Sequence, residues 1–68
     1  MLHIDQSLIG RQYITVHPTP VYTIRGINSK PDGFIVVLGE FKPSYSQDGT
    51  TEFSTHRVEL VKLLPEQK

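Results

Sequence analysis

Short runs of β-branched and aromatic residues, each closed by glycine, proline or asparagine, recur along the chain. That punctuation predicts a small all-β domain. The first run, residues 11–16 (RQYITV), follows Gly10. The stretch HPTP interrupts it. Pro18 and Pro20 lack backbone donors and hold His17 and Thr19 extended, which predicts a connection outside any sheet ladder. Residues 21–27 (VYTIRGI) form a second run ending at NSKPDG. There Pro31 presets its φ and Asp32-Gly33 suits a tight reversal. Residues 34–41 (FIVVLGEF) read as the best strand: the unbroken apolar start predicts burial on both faces, and Gly39 a bulge or bend. After KPSYSQDGT, where Asp48-Gly49 marks another reversal, residues 51–54 (TEFS) read as a short fourth strand and STHR as a break.

The segment VELVKLL admits two periodicities. As a strand it places Val58, Leu60 and Leu64 on one face, with Lys62 out of pattern; as a helix it stacks Val58, Val61 and Leu64 at spacing three. A helix of about ten residues without a capping box is marginal unless the fold packs on it. The preferred expectation is one tight turn at residues 55–57 followed by a last strand. The alternative is an α+β domain with a short C-terminal helix. Either way, residues 1–68 form one domain, with residues 1–7 an N-terminal arm and 65–68 a tail.

Five short strands, three Gly- or Pro-marked reversals and a one-turn break before the last strand make a layout that resembles the SH3-like small barrels, the group of SH3, Tudor and KOW-type domains. The resemblance spans residues 8–64 and is one of architecture. The chain has no tryptophan, so the tandem tryptophans of signalling SH3 domains are missing, as are their ALYDY-type segment and the KOW glycine signature. The resemblance implies a closed five-stranded barrel, which would remove sheet edges, and carries over no functional residue.

Composition narrows the chemistry. A 68-residue chain hides only roughly 60% of its unfolded surface, so its core is thin. With no cysteine, disulfides, thiolate metal sites and thiol nucleophiles are excluded, which suits a reducing compartment. Seven basic residues balance seven acidic ones, whereas nucleic-acid binders usually carry a basic excess. The start MLHIDQSLIG lacks a basic leader, which argues against a signal peptide. The longest apolar run, residues 34–38, falls far short of the ~20 residues of a membrane span. These features predict a cytoplasmic protein without a membrane partner, and a Met-initiated, cysteine-free chain of this size suits a bacterial or phage accessory factor.

No catalytic set is visible. His3, His17 and His56 are far apart and form no ligand spacing, so the expectation is turn or surface residues and no metal. Ser44, Ser46 and Ser54 lack a nucleophile elbow, and there is no phosphate-binding or Ca²⁺ loop. The expectation is a protein that is not an enzyme and needs no cofactor.

The aromatic residues divide. Phe34, Phe41 and Phe53 are expected to fill the core, and Tyr13 and Tyr22 to cap its ends. Tyr45, in a polar loop, is expected to be exposed. Tyrosine and arginine are favoured interface anchors. His17, Tyr22, Arg25, Lys42, Tyr45 and Arg57, around the predicted turns, are therefore the candidate partner-binding residues. The leading expectation is a non-catalytic protein-binding module, with a homodimer as a further possibility because a thin core gains from covering apolar surface. The alternative is a nucleic-acid-binding barrel, in which these tyrosines stack bases and the cations meet phosphates.

Overall fold

The computed structural model describes residues 5–65. After a 3₁₀ turn at Gln6–Leu8 come β1 (Gln12–Ile14), β2 (Tyr22–Ser29), β3 (Ile35–Phe41) and β4 (Glu52–Arg57). A second 3₁₀ turn, Val58–Leu60, leads into β5 (Lys62–Leu63). The strands form one antiparallel sheet in the order β4-β3-β2-β1-β5.

The β2–β3 reversal forms as its sequence predicts. The Lys30 N–H donates to the Phe34 carbonyl (2.7 Å) and the Gly33 N–H to the Lys30 carbonyl (3.0 Å). Gly33 has φ 90°, where any side chain would be strained. In β3, neighbouring Val36 and Val37 are both buried, so the strand is covered on both faces. The predicted irregularity near Gly39 lies across the ladder from it. Ile24 pairs with Gly39 and Gly26 with Leu38, leaving Arg25 as the extra residue of a bulge in β2.

The inner face holds Tyr13, Tyr22, Ile24 and Val37, joined by Leu8 from the first 3₁₀ turn and Val61 after the second. Ile27, Phe41, Val58 and Leu63 pack against this cluster. The Tyr13 and Tyr22 rings stack with centroids 5.1 Å apart, and Phe41 meets Tyr22 edge-on at 5.0 Å. Such aromatic pairs add about 0.5–1.5 kcal/mol beyond the area they bury, a large share in so thin a core.

Several expectations are corrected. The SH3-like barrel does not form: the sheet is open, because among the described residues β4 pairs only with β3 and the two-residue β5 only with β1. With two strands left as edges, no ladder closes the circle. The alternative C-terminal helix is also absent, since the described residues contain 3₁₀ turns but no α-helix. The turn before β5 falls at Val58–Leu60 rather than residues 55–57, because the Thr55, His56 and Arg57 pairings with Leu38, Val37 and Val36 carry β4 further. Val61 and Leu63, not Leu60, then face the core, and Leu60 is exposed. Phe53 does not fill the core: it pairs across from Glu40 on the outer face and is 58% exposed. Phe34 is half-buried beneath the Arg57 guanidinium. Of the predicted arm and tail, residues 1–4 and 66–68 lie outside the described residues.

Candidate functional site

Two clusters of chemistry-bearing side chains stand out, one inside the sheet and one on its outer face. The inner one is built on Tyr13. Its hydroxyl lies 2.9 Å from His56 Nδ1, and the His56 ring packs against Tyr22 with centroids 4.5 Å apart. Burial first, and the neighbouring Tyr22 second, push the Tyr13 hydroxyl up to about 12. Loss of water likewise pulls the His56 imidazole below its usual value. Both shifts favour the neutral forms. At neutral pH a neutral phenol and a neutral imidazole therefore share one hydrogen bond between the Tyr13 hydroxyl and His56 Nδ1. A fully buried hydroxyl held this firmly protonated is a structural bond rather than an accessible nucleophile.

The outer cluster is an open groove of about 810 Å³. Thr23, Arg25 and Glu40 contribute from β2 and β3; Thr19, Pro20 and Val21 from the connection before β2; Lys42, Pro43, Ser44 and Tyr45 from the loop after β3. Arg25 Nε donates to Glu40 Oε2 at 2.5 Å. That bond, helped by a Thr51 hydrogen bond, lowers the Glu40 carboxyl below its ordinary value. The pair is partly solvated, so it organises the groove more than it stabilises the fold. The loop after β3 is held in shape by its own side chains. Asp48 Oδ1 accepts from the Thr50 N–H (3.0 Å) and the Ser46 hydroxyl (3.1 Å), which lowers its carboxyl, while Tyr45 donates to Glu52 Oε1 at 2.8 Å. Tyr45 is 73% exposed, as its polar surroundings predict.

Of the six candidate binding residues, three meet in this groove: Arg25, Lys42 and Tyr45. His17 is exposed in the β1–β2 connection and does not line it. Tyr22 is buried against Tyr13, Phe41 and His56, so its ring is not presented to a partner. Arg57, opposite Val36, lies at the far end of the β3–β4 ladder, its guanidinium 4.0 Å from the centroid of the Phe34 ring.

Sequence reasoning missed Pro20, Val21 and Glu40 as groove residues. Glu40 carried a usable signal, since in LGEF it is the polar position between inward-facing Gly39 and Phe41. It also missed His56 as the partner of Tyr13, which no local pattern marks. Among the described residues, no three His, Asp or Glu side chains gather into a metal-holding group, and no helix is long and apolar enough to cross a membrane. The chain matches no known protein family, no curated protein and no solved structure.

Proposed function

We propose that this domain is a non-catalytic protein-binding module whose groove receives an extended segment of another protein. The observation that carries this reading is the meeting of Arg25, Lys42 and Tyr45 with apolar Pro20 and Val21 in one open groove. Apolar walls with a few placed polar groups are the usual make-up of a binding cleft. Arg25 is already paired with Glu40, so the groove offers an acid as well as bases, a poor match to a run of phosphates. That favours a protein segment over nucleic acid. The reading includes a cytoplasmic setting, which the cysteine-free composition supports.

The test compares capture of host proteins by the wild type, by Lys42→Glu/Tyr45→Ala, and by the outlying control His17→Ala. A captured protein is then identified and titrated against each purified variant. Binding should be lost in the groove variant alone. Its melting should stay close to wild type, since exposed substitutions usually cost within about 0.5 kcal/mol. Equal binding by all three proteins overturns the proposal. So does recovery of nucleic acid alone, with affinity falling steeply as salt rises.

A further inference from the structure

The two edges of the sheet differ. β5 is two residues long, and the chain beyond it is fastened by Arg11 Nη2 donating to the Leu64 carbonyl (2.8 Å) and the Leu64 N–H donating to Gln12 (2.9 Å). At the other edge, β4 runs six residues, EFSTHR, without proline, glycine, lysine or bulge. Its ladder partner is β3, and among the described residues no further backbone hydrogen bond covers its outer side. Natural edges are often blunted by proline, lysine or a bulge, none of which β4 has, and its two charged residues, Glu52 and Arg57, stand at its ends.

The register shows which amides point outward. Phe34 bonds to Lys30 across the β2–β3 reversal. Alternation along β3 then turns Val36 and Leu38 toward β2, and Val37 and Gly39 toward β4. Their partners on β4 are His56 and Ser54. The backbone groups of Phe53, Thr55 and Arg57 therefore face away from the sheet. The side chains of these same three residues are exposed, on the outer face.

We propose that β4 pairs antiparallel with β4 of a second copy, about a two-fold axis normal to the sheet and midway between the two Thr55 residues, joining two open sheets into one. A closed two-fold interface must be self-complementary, and this strand is. Residues facing across such an axis lie on the same face, so Thr55 meets its own counterpart and Phe53 meets Arg57 of the second copy. On the inner face Ser54 meets His56 of the second copy. All three outward-facing amides of each strand are used, and no like charges are opposed. The exposed Phe53 ring comes to lie opposite Arg57 of the second copy at both ends of the interface, where a guanidinium now held on Phe34 has a second ring within reach. The inference stands on the sheet edge and does not depend on the groove.

Sedimentation across a concentration series from low micromolar to millimolar tests it on the full chain. The wild type should pass from monomer to dimer. Thr55→Pro should stay monomeric with an unchanged circular dichroism spectrum, because proline is tolerated at an edge position whose N–H faces solvent. Phe53→Lys, which leaves every backbone donor in place, should weaken the dimer at least tenfold. It keeps the test intact if Thr55→Pro does not fold. A wild type that remains monomeric at millimolar concentration overturns the inference, and so does a dimer that Phe53→Lys leaves unchanged. Groove binding measured on Phe53→Lys reads out separately, and its loss or survival speaks only to the groove.

Discussion

Gly39 shows how one residue sets the packing of the inner face. A Cβ at this position would lie 2.9 Å from Tyr13 Cζ and 3.0 Å from Tyr22 Cβ, and closer still to the Tyr13 hydroxyl oxygen. The Tyr13 ring cannot swing away cheaply, being stacked on Tyr22 and bonded through its hydroxyl to His56. Gly39→Ala is therefore expected to destabilise the domain by about 1–3 kcal/mol, the usual range for overpacking a core. For a domain this small each kcal/mol lowers the melting temperature by roughly 4–8 °C, which calorimetry resolves easily. The His56 ring resonances should shift as well, since a displaced Tyr13 releases Nδ1. A Gly39→Ala protein that melts with the wild type and keeps its His56 spectrum would show that the ring has room to move.

Among the elements, legibility follows hydrophobic content. β2 and β3 were plain because their alternation and the Pro31–Gly33 reversal agree with one another. The end of β4 was hidden, since Ser54, Thr55, His56 and Arg57 form no apolar pattern and their pairing is imposed by register with β3. The open sheet was hidden for a related reason: closure depends on whether two distant edges meet, and no local residue records that. Three of the six candidate binding residues lie together in the groove: Lys42 and Tyr45, in a loop whose polar chemistry predicts exposure, and Arg25, the extra residue of the β2 bulge. Tyr22 misled because its neighbours Pro20 and Arg25 look like surface. β5, with only two residues, is backed beyond its ladder with β1 by the Arg11 bond to Leu64. Arg11→Ala should therefore raise hydrogen exchange at the Leu64 amide, which bonds to Gln12, while amides of the β2–β3 ladder keep their protection. Equal exchange in both proteins would mean that Val61 and Leu63 suffice to hold the strand.

For the molecule as a whole, the Tyr13–His56 pair is expected to give stability its main dependence on pH, with exposed Tyr45, raised by its bond to Glu52, adding little on the alkaline side. His56 has a lowered value in the folded state because burial disfavours its charge, so the unfolded chain takes up a proton first. Stability is then fully present above the unfolded value of about 6.5 and falls as pH drops below it. Tyr13 works in the opposite direction. Its hydroxyl is raised from 10.0 to about 12 in the fold, so the unfolded chain loses that proton first. Stability is intact below pH 10 and declines above it, by up to about 2–3 kcal/mol once the folded value is passed. Glu40 and Asp48, both lowered in the fold, add a loss only at more acidic pH, and a small one because they are exposed to water. The expected profile is a plateau from about pH 6.5 to 10 with a shoulder on each side. Thermal melts taken in steps of pH map it. His56→Gln, which keeps a hydrogen-bonding partner for Tyr13 but cannot titrate, should flatten the decline just below pH 6.5 while leaving the alkaline side in place. If the acidic decline is unchanged in that variant, the surface carboxylates and not His56 set the lower limit.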